Sequence, residues 1–332
     1  MIINMGSAFV AGYTLTINTT AGATIVATKN GGAHTAVANS AGIAILENLS
    51  SGTWTITAEI GNLTATKTVD VYSDEYITLI LNTIPEFTFE SDTGIAGKYA
   101  IYDHLDNDIT ENPETNGDWK IKFFESGKLV FQRLNSAVYG IDVFCVGGGG
   151  GGAGGVQPND SEKYSGGGGG GGYTTTRPDV EVIKDKLYEI TVGGGGPAVG
   201  YYSGHQQAGT TEAFGVKASG GYSGASSGGG DGGSGGGSSG FYGEAGGTDG
   251  EPGLSYSLPN YPGGTGQGNP PGTKEFGEED GTLYSTGGTG GGWVGVTYDG
   301  ANGKANTGDG GDGASGNGGS GGSGVVVIRN KR

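Results

Sequence analysis

The Gly-x-Ser-x-Gly pattern of a nucleophile elbow is satisfied at several places in this chain, Gly232-Gly233-Ser234-Gly235-Gly236 and Gly318-Gly319-Ser320-Gly321-Gly322 among them. An elbow needs a strand before the serine and a helix after it, so that the hydroxyl stands exposed above a sheet. Neither pentapeptide has that context, and both read as chance matches in glycine-rich sequence. Gly-x-Gly-x-x-Gly is met in the same trivial way, without the strand, helix and downstream acid of a dinucleotide site. No Gly-Lys-Ser/Thr step exists for a phosphate loop. His34, His104 and His205 stand far apart, with no metal-type spacing among them. Cys145 is the single cysteine, so no internal disulfide forms. Lying in an apolar stretch, it reads as a buried, inert thiol. Asp103-His104-Leu105-Asp106-Asn107-Asp108-Ile109-Thr110-Glu111 carries oxygen ligands at calcium-loop density, but lacks the glycine and spacing of an EF-hand. A solvated acidic connector accounts for it. We therefore expect no catalytic residue, no metal and no cofactor, and a protein that is not an enzyme.

What remains is the chemistry of binding loops. Aromatic and polar residues interrupt the glycine in Val156 to Tyr164, Tyr201 to Gln207, Phe241-Tyr242, Leu254 to Pro262 and Thr273 to Tyr284. Tyrosine among Ser, Gly and Asn is the composition of a recognition surface, since it offers large rigid contact area and a hydroxyl at small entropic cost. The candidate contact residues are Tyr164, Tyr201, Tyr202, His205, Gln206, Phe241, Tyr242, Tyr256, Tyr261 and Tyr284. The competing role for any of them is to cap a glycine scaffold and exclude water from its hydrogen bonds. That role suits Tyr173, Tyr188 and Trp293 best, which adjoin glycine runs or strands.

The elements that must position these residues are unusual. Of 78 glycines, 66 lie between Gly140 and Gly324, with unbroken runs at Gly147 to Gly152 and Gly166 to Gly172. Ordering glycine costs about 0.5–1 kcal/mol per residue relative to alanine, so such runs are either coil or a lattice. Strand-like segments frame them: Ile141 to Val146 before, Leu187 to Val192 within and Val325 to Arg329 after. Framed runs point to order. The conformation open to them is the threefold extended helix, with about 3.1 Å rise and no internal hydrogen bonds. Its sideways N–H and C=O groups must find partners on neighbouring runs.

Ahead of this the chain reads as a small β-sandwich over residues 1–84. Tyr13 to Ile17, Trp54 to Ala58 and Tyr76 to Leu81 alternate with period two, and turn residues such as Asn30-Gly31-Gly32 punctuate them at short spacing. Residues 85–118 read as an acidic connector or small β subdomain, and 119–332 as the glycine-rich domain. The fold class expected is mainly β: an N-terminal β-sandwich, the connector, and packed polyglycine II helices flanked by strands. The net charge of −17 argues against nucleic acid as a partner, because phosphate contacts need Lys and Arg. Met1 to Ser7 has neither a basic nor an apolar signal region, and no apolar run reaches membrane-spanning length, so neither a signal peptide nor membrane insertion is expected.

The order Phe123 to Phe131, Ile141 to Gly152, Gly166 to Thr176, Tyr188 to Gly196 and Gly324 to Arg329 resembles the glycine-rich domain of bacteriophage tail-fibre and tail-tip adhesins. The string Asn39 to Ala58 resembles the carboxypeptidase-regulatory-like, transthyretin-type β-sandwich. The first resemblance implies a slab of polyglycine helices whose loops bind a bacterial cell-surface receptor, glycan or protein. The second implies a spacer or docking unit, here toward other tail or baseplate proteins. Together they imply a virion component of the phage tail, assembled in the host cytoplasm, with a homo-oligomer left open. A purely structural tail, collar or head protein is the alternative. Ice binding, as in the glycine-helix antifreeze proteins of springtails, would need regular Gly-x-x repeats and disulfides.

Overall fold

A computed structural model describes residues 12–330, apart from 61–62, 80, 82–83, 94–97, 104, 112, 114–117, 135–137, 160–161, 227, 240–272 and 292–296. The chain divides into two units, one of residues 1–84 with 102–119, the other of 85–101 with 120–332.

Seven strands build the first unit: β1 (Tyr13–Asn18), β2 (Thr24–Lys29), β3 (Gly32–Val37), β4 (Ile43–Leu49), β5 (Gly52–Ile60), β6 (Leu63–Val71) and β7 (Glu75–Thr78). They form a three-stranded sheet, β4-β1-β7, and a four-stranded sheet, β3-β2-β5-β6. Alternation decides which side chains turn inward. Leu15 and Ile17 of β1, Leu46 of β4, Ile25 and Ala27 of β2, and Trp54, Ile56 and Ala58 of β5 are buried in one shared core. Asn30 and Gly31 join β2 to β3 with φ of 49° and 81°, as a two-residue hairpin turn requires. His34 lies edge-on to Trp54 at 5.3 Å, which gives it a packing role.

The second unit begins inside the stretch expected to be a connector. Glu86–Ser91 (β8) and Tyr99–Asp103 (β9) are strands of its sheets, so these residues do more than bridge. Phe87 and Phe89 alternate with polar neighbours on β8, and both pack on Phe123. Counting the acids of this stretch hides that alternation. The remaining strands are β10 (Trp119–Phe123), β11 (Gly127–Arg133), β12 (Val138–Val146), β13 (Val156–Asn159), β14 (Glu162–Tyr164), β15 (Thr174–Ile183), β16 (Leu187–Thr191), β17 (Thr211–Ala213), β18 (Val216–Ala218), β19 (Thr273–Lys274), β20 (Leu283–Tyr284) and β21 (Val325–Asn330). Two five-stranded sheets, β15-β12-β21-β10-β9 and β18-β17-β16-β11-β8, meet through their aromatic side chains, with Phe87 of one sheet touching Phe123 of the other.

Glycine segments continue directly from the strand ends. Val146 pairs with Thr174 and Val325, and the next bond is from Gly147 N–H to the Tyr173 carbonyl, 2.9 Å. Beyond that point the hydrogen bonds repeat every third residue. Gly147, Gly150 and Ala153 donate to Tyr173, Gly170 and Gly167, while Gly149, Gly152 and Gly155 donate to Gly322, Gly319 and Gly316. Carbonyls follow the same step: Gly150 and Ala153 accept from Gly311 and Ala314, and Gly148 and Gly151 from Gly221 and Gly224. In the second run Gly166, Gly169 and Gly172 donate to Ala314, Gly311 and Gly308; Gly167, Gly170 and Tyr173 to Ala225, Tyr222 and Ser219; Gly168 and Gly171 to Gly237 and Ser234. A period of three is that of the polyglycine II helix. At about 0.5–1.5 kcal/mol per bond, the bonds that nearly every residue of these runs donates or accepts offset the entropy of ordering glycine.

The lattice leaves no room for side chains at its centre. A Cβ at Gly151 would lie closer than 3.0 Å to the carbonyl of Pro197, and one at Gly169 equally close to that of Gly150. At the periphery the pattern loosens to one inward glycine in three. Gly300 and Gly303 donate inward to Asn317 and Ser320, while Ala301, Asn302, Lys304 and Ala305 are exposed. The repeat expected of an antifreeze helix is thus present locally, as the signature of an edge position.

Candidate functional site

Hydrogen-bond direction fixes which end of the lattice each interruption occupies. The run 147–155 leaves the sheets at β12, and 166–173 returns antiparallel to enter β15. Likewise 193–199 leaves β16, 219–225 leaves β18 and 308–314 runs outward, while 316–324 returns into β21. The returns at 156–165, 200–204, 226 and 315–317 therefore share the end remote from the two five-stranded sheets. They are stitched together there: Gly154 N–H donates to the Val199 carbonyl, Ser226 N–H to that of Tyr201 and Gly155 N–H to that of Gly316.

The loop 200–207 is the most exposed aromatic feature of this end. Tyr202 is 83% exposed, and its ring stands perpendicular to that of half-buried Tyr201 at 5.1 Å. Burial, and secondarily Tyr202, raises the pKa of the Tyr201 phenol, which keeps it neutral. The loop backbone is pinned by Ser203 N–H to the Gly200 carbonyl, 2.9 Å, and by the bond from Ser226. His205 Nδ1 lies 2.6 Å from the Ser223 carbonyl, Gln206 N–H donates to Ser223 Oγ at 2.8 Å, and Gln207 Nε2 donates to the Gly220 carbonyl at 3.2 Å. A carbonyl accepts, so Nδ1 carries the proton and Nε2 of His205 is an acceptor.

Of the expected contact residues, Tyr164, Tyr201 and Tyr202 lie at this end, whereas His205 and Gln206 lie on the run that returns from it, beside Ser223 and level with Gly150. Phe241, Tyr242, Tyr256, Tyr261 and also Trp293 lie outside the described residues. Tyr284 is a correction. At 3% exposure it packs with Phe144, Val146, Val325 and Val327 beside the sheets, and no partner can reach it. It belongs to a charged strap that the sequence did not disclose. Lys120 and Lys122 alternate with Trp119, Ile121 and Phe123 on β10, so their ammonium groups emerge together on the other face. There Glu275 receives Lys120 at 2.6 Å, Lys122 at 2.8 Å and the Tyr284 hydroxyl at 2.8 Å. Burial alone would push the Glu275 carboxyl up; Lys122 and Lys120 outweigh it and hold the group below its ordinary range. Arg329 adds an ion pair to Asp142 at 3.2 Å and lies over the Phe276 ring at 4.0 Å. Ser223 also escaped sequence reading; its place three residues before Ser226, in a run with glycines at 220, 221 and 224, is the signal that marks it.

Other chemistry-bearing residues are absorbed locally. Ser234 is fully buried in a lattice segment, with no strand-to-helix turn about it. Burial pushes the Cys145 thiol up to about 12. Asp103 Oδ1 accepts from the N–H groups of Leu105 and Asn107, both at 2.9 Å, and Asp108 Oδ1 from Thr110 N–H at 3.0 Å. Asp309 and Asp312, three apart, accept from the N–H groups of Thr286 at 2.9 Å and Thr289 at 2.7 Å, standing in for lattice carbonyls. Among the described residues no group of His, Cys, Asp or Glu is placed to hold a metal, and no helix is long and apolar enough to cross a membrane.

Strands that run on into a hydrogen-bonded glycine lattice, with tyrosine-bearing loops at its far end, define a glycine-lattice β protein. Residues 127–331 match the family described as glycine-rich domain, and the chain belongs to that family. No curated protein sequence matches at a significant level. A crystal structure of a DUF3823 family protein from Parabacteroides merdae matches at 10% identity, covering 64% of this chain and 96% of that one, with a TM-score of 0.21. A likeness of that size carries no argument.

Proposed function

We propose that this chain is a non-enzymatic adhesin of a bacteriophage tail, in the tail fibre or at the tail tip, and that the far end of its lattice contacts a receptor on the host cell surface. The observation that carries the reading is the collection of Tyr164, Tyr201 and Tyr202 at one end of a hydrogen-bonded scaffold, remote from the sheets, with the exposed His205 and Gln206 following on the returning run. Loops on a stiff support are where recognition residues concentrate. The resemblance of the segment order to tail adhesins supports the same reading. The first unit, resembling the carboxypeptidase-regulatory-like sandwich, then docks to other tail or baseplate proteins, and several copies per particle strengthen weak single contacts.

The burial of the central glycine runs favours a second reading, a virion component that supplies stiffness alone. Exchanging loop 200–207 between related phages separates the two. Altered host range supports adhesion. Unchanged host range with malformed particles supports the structural role.

A further inference from the structure

We infer that loop 200–207 is a subsite for an uncharged sugar ring, so that the receptor is a neutral glycan. This rests on the reading of the lattice end as the receptor-contacting surface and names the chemistry that it recognises. An aromatic ring that is 83% exposed, as Tyr202 is, leaves a face in water that a ligand can cover. Tyr201 holds that ring from the side at 5.1 Å, so the exposed face is presented in one orientation.

The loop carries a mixed set of hydrogen-bonding groups and no Asp, Glu, Lys or Arg. His205 has its Nδ1 committed to the Ser223 carbonyl, which leaves Nε2 as an acceptor aimed elsewhere. The Gln206 backbone is committed to Ser223, whereas its side-chain amide, on an exposed residue, supplies a donor and an acceptor. The phenols of Tyr201 and Tyr202 add two groups that both donate and accept. No Asp, Glu, Lys or Arg occurs from Gly200 to Gly230 apart from Glu212 and Lys217, which pair with each other on β17 and β18 at the sheet end. A loop that bound an anionic or cationic ligand by itself would carry an opposite charge; loop 200–207 carries hydroxyl-matching groups beside an apolar face, and the charges of this end belong to other returns, among them Asp299 at Asn317.

Gly204 supplies an independent observation. Its φ lies outside the left-handed region, and a Cβ built on it would meet nothing within 4 Å. Neither backbone conformation nor internal packing calls for glycine between Ser203 and His205. A bare backbone at that point lets a ring approach between Tyr202 and His205.

The full chain, titrated against an array of neutral and acidic bacterial surface polysaccharides, tests this. The expected result is retention on at least one neutral polysaccharide, binding at least tenfold weaker in Tyr202→Ala, a smaller loss in Tyr202→Phe, which keeps the ring and removes the hydroxyl, and Gly204→Val weakened as Tyr202→Ala is. Tyr202 and Gly204 are exposed, so unchanged melting temperatures confirm that these variants fold. Retention on acidic polysaccharides alone, or unaltered binding by Tyr202→Ala, overturns the inference. So does labelling of host cells that survives periodate oxidation of their glycans and is lost on protease treatment. In that last case the adhesin reading stands with a protein receptor, whereas no labelling of any sensitive host removes the adhesin reading itself.

Discussion

Glu275 pairs with both Lys120 and Lys122, and its replacement by glutamine removes the carboxylate that the two ammonium groups share. Removing one partner of a buried ion pair costs about 3–5 kcal/mol, and a denaturant titration of Glu275→Gln at pH 7 should read a loss of that order. The pH dependence has a definite sign. The folded-state pKa of Glu275 is lowered from 4.5, so its contribution is complete above that value and is lost as pH falls through the folded one. Wild-type stability should drop more steeply below pH 4.5 than that of the variant. An identical acid limb in both proteins would refute the role given to this carboxylate. Cys145 makes a second prediction at the same scale. A thiol pushed up to about 12 by burial is a poor nucleophile at pH 8, and iodoacetamide should leave it unmodified by mass spectrometry until the chain is unfolded. Tyr284 shows why single residues mislead. As an aromatic flanked by a loop it has the composition of a contact residue, and only its packing on Phe144 and its bond to Glu275 remove it from that class.

Among elements, the lattice segments differ from one another by where they sit, and glycine substitution reads that position. Gly151→Ala drives a methyl group into the Pro197 carbonyl, closer than 3.0 Å, and should cost about 1–3 kcal/mol or more. Gly194→Ala meets nothing within 4 Å at an exposed site of ordinary φ. It should be neutral, or stabilising by about 0.4–1 kcal/mol through the unfolded chain. Equal effects of the two substitutions in thermal melts would contradict the segment arrangement. Much of this scale was legible in sequence. The strands at Ile141 to Val146 and Val325 to Arg329 announced themselves by β-branched, apolar runs, and they are β12 and β21. Strand β8 was not, because its two phenylalanines are spaced among acids that suggested a solvated stretch. The loop from Tyr201 to Gln207 was legible as composition, whereas its fixing by Ser223 and Ser226 was not, since those partners lie 17 and more residues away.

At the scale of the molecule, the consequence of a shared lattice is slow amide exchange where an isolated glycine run would exchange at once. Hydrogen exchange should find 147–150, 152 and 166–172 protected to the degree of β12 and β21, because their N–H groups are bonded within the lattice. Exchange at the rate of free peptide would remove the lattice altogether. The amino-acid sequence by itself determined that the chain is mainly β, that glycine is concentrated in one domain, and that its homoglycine runs adopt a threefold extended form if ordered, since those follow from local periodicity and from the missing Cβ. Only the tertiary structure decided which run lies beside which, which end carries the aromatic loops, and which tyrosine is buried. Those depend on hydrogen bonds between segments up to 173 residues apart, such as Gly149 with Gly322, and a run of identical glycines contains no local information about its partners.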